Sequence, residues 1–294
     1  MYSRQQQATA SGCAILVLAV SILAGPVPAL AQTEGPDETT GGQSRESMAI
    51  DATASQWSYQ FAVEGFFDYR DDTLASGVPR PEGNKGFLQF RMVAPLPKSE
   101  KMPITLLPRL TLRLVDNKDG KSGFGSSDIF VLGIVQQWST GRWGIGPQIN
   151  FPAADGFGNT EWGYGLAGAI TERALNDRLF LGLLLQQTWS KDASGLTDET
   201  KASPLGINAI VVYQLGGGWY LGNGDFVIRY DWNNGSWFVP LRVRLGKAFI
   251  GSERTWNTYL EYGTALDFKD WTGPVPEHTL RINVQLQIPV AFGG

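Results

Sequence analysis

The 294-residue chain is poor in the residues that build disulfide scaffolds and metal centres, with one cysteine and one histidine. A disulfide framework is excluded, and so are zinc or copper clusters, because the ligands are not there. Beyond the first thirty positions no apolar run reaches the 18 to 20 residues that a helix needs to cross a bilayer. Basic residues are also scarce: 24 Lys and Arg against 28 Asp and Glu leave a net charge of −4. No basic surface is available for nucleic acid, which is therefore not expected as a partner. What the chain has instead is 36 Gly and ten Trp, set in segments that alternate with a period of two.

The first residues read as an address. Arg4 is the sole charge before the apolar stretch Cys13–Gly25, and Pro26–Ala31 closes with small residues at Ala29 and Ala31. That order is the pattern of a secretory signal peptide, residues 1–31, with Cys13 inside the removed part. The mature chain would then hold no thiol and carry a net charge of −5. Residues 32–55 show no apolar residues at either the helical or the strand period, and are expected to form a flexible periplasmic leader.

From Trp57 onward the alternation is strong. Trp57, Tyr59, Phe61 and Val63 oppose Ser58, Gln60 and Glu64, and near the other end Leu280, Ile282, Val284, Leu286, Ile288 and Val290 oppose Arg281, Asn283, Gln285 and Gln287. Twelve strands can be drawn, at about 57–69, 86–97, 103–115, 128–139, 142–151, 161–172, 178–190, 205–215, 219–232, 237–249, 255–266 and 280–290. Connections after odd strands are mostly long and polar, and those after even strands are short. This is the rhythm of an all-β, transmembrane, antiparallel up-and-down barrel, here residues 56–294, with long loops outside the cell and tight turns in the periplasm. Phe292, followed by two glycines, is a displaced form of the aromatic ending that the barrel-assembly machinery reads.

Alternation alone does not say which face is oily, since a secreted soluble β-domain would alternate too. Tryptophan placement favours the membrane. Trp57, Trp138, Trp143, Trp219 and Trp256 fall at one set of strand ends, and Trp162, Trp189, Trp232 and Trp237 at the other, as two aromatic girdles would. Outer-membrane lipid is then the partner of the apolar face. The inward face carries Arg91, Arg109, Arg113, Arg229, Arg242, Arg244 and Arg281 against Glu64, Asp68, Asp231 and Glu261. Guanidinium groups lining a conduit would select small anions or carboxylated organic solutes. Arginines paired with acids that fill a narrow barrel are the competing reading.

Residues 126–292 also carry an ordered set of short motifs. These are Ser127-Asp128, Gly144-Ile145-Gly146-Pro147, Phe151-Pro152-Ala153-Ala154, Gly218-Trp219-Tyr220-Leu221, Trp237-Phe238-Val239-Pro240-Leu241 and Gly246-Lys247-Ala248-Phe249. In them the chain resembles the outer-membrane transporter family assigned to the meta-pathway of phenol degradation. The resemblance implies a bacterial outer-membrane barrel and a link to the passage of aromatic or other small organic compounds. The loops show no such likeness.

Chemistry has little to work with. His278, placed beside Glu277 in the last long loop, would have to serve any Ser-His-acid arrangement, and no Gly-x-Ser-x-Gly elbow accompanies it. No cofactor is expected. The residues point to a channel for passive passage of small organic solutes, not an enzyme. A closed structural or adhesion barrel acting through its loops is an alternative, as is a surface enzyme built on His278.

Overall fold

The computed structural model describes residues 43–51, 53–54, 56–190 and 204–289. The expected signal peptide, residues 32–42 of the expected leader, the loop at 191–203 and Phe292 lie outside the described residues. Among the described residues one helix, α1 (Arg45–Ile50), precedes fourteen strand segments. They are β1 (Gln56–Tyr69), β2 (Gly86–Val93), β3 (Leu106–Asp116), β4 (Ser122–Phe124), β5 (Ser127–Gln137), β6 (Gly141–Phe151), β7 (Gly163–Ala174), β8 (Leu179–Ser190), β9 (Pro204–Gly216), β10 (Trp219–Asn223), β11 (Ile228–Asp231), β12 (Ser236–Ile250), β13 (Thr255–Lys269) and β14 (Pro276–Pro289).

Twelve staves result. β4 is a short flap that pairs only with β3, and β10 and β11 are two halves of one stave between β9 and β12. All pairs are antiparallel, and β1 pairs with β14 from Gln56↔Pro289 to Tyr69↔Pro276, which closes the sheet on itself. Closure removes the two unpaired edges that an open sheet would expose, a requirement for a backbone in hydrocarbon.

The period of two decides what each face meets. On β14, Arg281, Asn283 and Gln287 are buried inside while Ile288 is exposed outside, and on β1, Gln60, Ala62 and Glu64 are buried while Phe61 stands exposed. The exterior is a belt of large apolar residues, among them Leu114, Ile145, Leu166, Ile170, Leu241, Val243, Leu245 and Leu260. In water such a belt would be a severe liability, and against acyl chains it is the required surface. Tryptophans border it at both ends. Lys247 lies 4.9 Å from the Trp219 ring near the short-turn end, and Lys269 lies 5.3 Å from the Trp237 ring near the other, both outside the barrel.

Several boundaries differ from the expected ones for local reasons. β2 stops at Val93 and β3 starts at Leu106, because Pro95, Pro97 and Pro103 cannot donate to the ladder; only the bridges Leu96↔Leu106 and Ser99↔Met102 continue the hairpin. β13 and β14 extend further outward than expected, so His278 belongs to a strand and not to a loop. Gly144 and Gly146 sit where β5 and β6 come close, and a Cβ at Gly144 would meet the Gly133 carbonyl. A Cβ at Gly146 would strike the Val131 carbonyl, so the glycine lets two backbones approach.

The largest departure concerns the leader. The described residues 43–51, 53 and 54 are folded into the short-turn end of the barrel, where Gln43, Ser47, Met48, Ala49, Ile50, Asp51, Thr53 and Ala54 are all buried. Ser44 caps α1 by accepting from Ser47 N. Six residues would not hold a helix alone, and the barrel supplies the partners. Arg142 donates to Thr53 O at 2.9 Å and pairs with Asp51 at 3.3 Å. Asn257 and Gln287 both donate to Ala49 O at 2.9 Å, and Arg45 donates to Gly251 O.

Candidate functional site

The interior has two chemically distinct layers. Near the short-turn end, Ile50 packs with Phe180, Val212, Tyr220 and Tyr259, and a second cluster joins Leu107, Phe130, Leu132, Ala167 and Leu184. These come from staves apolar on both faces, such as Ile129–Val135 and Leu179–Leu185, which therefore wall an apolar part of the lumen.

Farther outward lies an ion-paired layer. Glu64 Oε1 accepts from Arg242 Nη2 at 2.6 Å, and its Oε2 from Arg281 Nη1 at 3.2 Å. Glu261 Oε1 accepts from Arg242 Nη1 at 2.9 Å. Asp225 Oδ2 lies 2.9 Å from Arg91 Nη1 and 3.4 Å from Arg281 Nη2. Three acids thus meet three arginines, and Gln60 extends the network to Arg91, Tyr259 and Asn283. Buried charges persist only when paired and hydrogen-bonded in this way.

Asp225 escapes a reading by alternation, because the β10–β11 stave is interrupted between Asn223 and Ile228. Asn223 bridges the gap with its side chain, accepting from Val211 N at 2.7 Å and donating to Ala209 O. The interruption tucks Asp225 inside, where its own N–H donates to Glu261 Oε2 at 2.8 Å. A side chain at Gly224 would collide with the Glu261 carboxylate, so glycine is needed at that step. The signal in the sequence was Gly222-Asn223-Gly224-Asp225, a bulge signature inside a strand pattern.

The other arginines expected in the lumen, Arg109, Arg113, Arg229 and Arg244, make no ion pair with a carboxylate among the described residues. Arg109 stacks over Phe130 at 4.2 Å, and Arg244 over Tyr259 at 5.2 Å and Tyr220 at 5.9 Å. Arg113 lies 5.7 Å from the Phe87 ring and donates to Gln89 Oε1 at 3.2 Å and Ser126 O at 2.8 Å. Arg229 is opposite Phe238 near the long-loop end and is exposed. Asp231 sits at the rim, where its Oδ1 accepts from Asn233 N at 3.0 Å and closes a turn. Asp68 is exposed at the outer end of β1 and takes no part in the ion-paired layer. Sequence-expected Arg91, Arg242, Arg281, Glu64 and Glu261 therefore come together in one layer, Arg109 and Arg244 gather beneath it, and Arg113, Arg229 and Asp231 stand apart.

Between the layers is a cavity of about 110 Å³ lined by Arg91, Arg109, Arg244, Asp225, Phe130 and Phe180 among others, with Ile50, Asp51 and Thr53 of the inserted segment beneath it. Over the far end, Arg80 grips Asp72 and donates to the carbonyls of Trp271 and Gly273, with its guanidinium 4.9 Å from the Phe268 ring. The Asp72 carboxyl is held below its usual range by that hydrogen bond. His278 projects outward, with Nδ1 2.7 Å from the Tyr262 hydroxyl. Among the described residues no group of three or more His, Cys, Asp and Glu could hold a metal ion.

No family model matches this sequence, and no curated protein is similar to it. Solved structures are similar in shape. An outer membrane channel from Pseudomonas putida F1 is 14% identical, with a TM-score of 0.56, the match covering 82% of this chain and 97% of that one. The KdgM porin is 11% identical over 79% of this chain and 99% of its own, with a TM-score of 0.41. Outer membrane phospholipase A from Escherichia coli is 14% identical over 84% and 97%, also with a TM-score of 0.41. The fold is that of a bacterial outer-membrane β-barrel, closed by twelve antiparallel staves.

Proposed function

We propose that the protein is a passive outer-membrane channel for small organic solutes, with a preference for anionic ones. The observation that carries this reading is the charge left over inside. Glu64, Glu261 and Asp225 are matched by Arg91, Arg242 and Arg281, while Arg109, Arg113, Arg229 and Arg244 face the interior with no ion pair, against one further interior acid, Asp128, which lies near Arg109 and Arg113. Unpaired guanidinium groups in a lumen with low-dielectric walls concentrate anions and repel cations. The apolar wall beside them suits solutes that are partly hydrocarbon, aromatic ones included, in keeping with the motif resemblance.

Passage requires the inserted segment to move, because residues 43–51, 53 and 54 are packed into the short-turn end. Its hold combines hydrogen bonds from Arg142, Asn257, Gln287 and Arg45 with the packing of Ile50 on Phe180, Val212, Tyr220 and Tyr259, and it contributes no rung to the barrel ladder, so it can leave without unzipping a stave. Export through the signal peptide and insertion by the barrel-assembly machinery belong to the same reading. In planar bilayers under a KCl gradient, purified protein is expected to give discrete openings whose reversal potential has the sign of chloride permeation. Absence of conductance at any voltage, or cation selectivity, would overturn the proposal.

A further inference from the structure

The cavity between the two layers has a composition that identifies its ligand. We infer that it binds a small monocarboxylate with a compact apolar body, such as a single-ring aromatic acid, with Arg109 and Arg244 holding the carboxylate. This rests on the channel reading for its biological sense, although binding can occur without conduction.

The argument starts from the charges on the lining. Two carboxylates reach it, and both are spent: Asp225 on Arg91 and Arg281, Asp51 on Arg142. Two guanidinium groups reach it with no acid, Arg109 and Arg244. Each has an aromatic ring against its face, and neither donates a hydrogen bond among the described residues; the Nε of each is buried with no partner. Stacking occupies the face of a guanidinium and leaves its edge of N–H donors free, the arrangement that takes a carboxylate by two parallel hydrogen bonds. Asp128 and Asp225 lie near Arg109, and Glu261 and Asp225 near Arg244, but none is in hydrogen-bond contact with either; a buried guanidinium held only at that range is costly, and an incoming anion that hydrogen-bonds it offsets the cost.

Hydrocarbon makes up much of the remaining lining, with Leu107, Leu132, Phe180, Leu184 and Ile210, and Ile50 of the inserted segment, beside amides such as Asn208 and Asn257. The volume, about 110 Å³, is comparable to apolar cavities of roughly 150 Å³ that accept a benzene ring. An inorganic anion would satisfy the arginines and leave the apolar wall facing water, and a neutral ring would do the reverse. A small acid with one ring satisfies both.

The test is calorimetric titration of benzoate at neutral pH into the full chain in detergent micelles, with empty micelles as the blank. Benzoate is expected to bind at least ten times more tightly than acetate or benzyl alcohol. Arg109→Gln should weaken benzoate at least tenfold, and Ala169→Phe, which fills the cavity while keeping every charge, should abolish binding. Lys118→Gln, in an exposed loop, should leave affinity unchanged. Heat-dependent gel migration establishes that each variant is folded, and if Arg109→Gln fails that check Ala169→Phe decides alone. Equal binding of benzoate and benzyl alcohol, or wild-type benzoate affinity in Ala169→Phe, would overturn the assignment. Binding without bilayer conductance would remove the channel reading and keep the site, whereas conductance without benzoate binding would do the opposite.

Discussion

The interior uses arginine in two ways, and the contrast between them explains how one lumen can be both a scaffold and a path. In the layer of Glu64, Glu261 and Asp225, the guanidinium groups of Arg242, Arg281 and Arg91 are neutralised and tie together β1, β2, β12, β13, β14 and the interrupted β10–β11 stave. Beneath it, Arg109 and Arg244 rest on aromatic faces and retain their charge toward the cavity. The residue type is the same; the neighbour decides whether it holds the barrel or addresses a solute.

The sharpest way to break that contrast is Glu64→Ala, which strands Arg242 and Arg281 in a buried layer. Breaking a buried pair in this way costs about 3–5 kcal/mol, and the unfolding midpoint in urea should fall accordingly. Val284→Arg, on the lipid face of the same stave as Arg281, should cost about 2–4 kcal/mol near mid-membrane, measured the same way. Loss at position 284 with no loss at position 64 would mean that the interior ion pairs do not bear on stability.

Much of this was legible in the alternation. Leu280 to Ile288 on one side and Arg281 to Gln287 on the other fixed the facing of β14, and the tryptophan girdles fixed which face is oily. Three features were not legible, each because a tertiary partner overrides a local pattern. Arg45–Ile50 has too few apolar residues to advertise a buried helix, and is held inside because Asn257 and Gln287 satisfy the Ala49 carbonyl and Arg142 grips Gln43 and Asp51 on either side of it. Asp225 enters the lumen through an interruption that breaks the period of two. His278 reads as loop because clear alternation begins only at Leu280, yet β14 starts at Pro276, the end of a strand where a missing N–H is tolerated.

Smaller effects sharpen the comparison. Asp51→Ala removes one of the contacts of Arg142 while Thr53 O and Gln43 remain, at about 1–3 kcal/mol for the partner left behind. It should raise open probability in bilayers and speed amide exchange over residues 43–51, with no change in the urea midpoint of the barrel. Arg244→Gln should change barrel stability by about 1 kcal/mol or less, the scale of a cation–π contact, while shifting ion selectivity. The Asp72 carboxyl, held low by Arg80, keeps its contact at neutral pH and loses it as pH falls through that lowered value. Proteolysis of the 70–85 loop should therefore accelerate only in strong acid.

The most direct measurement is the reversal potential of the Arg109→Gln, Arg113→Gln, Arg244→Gln triple variant against wild type in the same KCl gradient. The account predicts that the chloride preference of wild type falls toward zero while the barrel stays folded by heat-dependent gel migration. A folded triple variant with unchanged selectivity would contradict it, since the unpaired arginines would then not set the field that solutes meet.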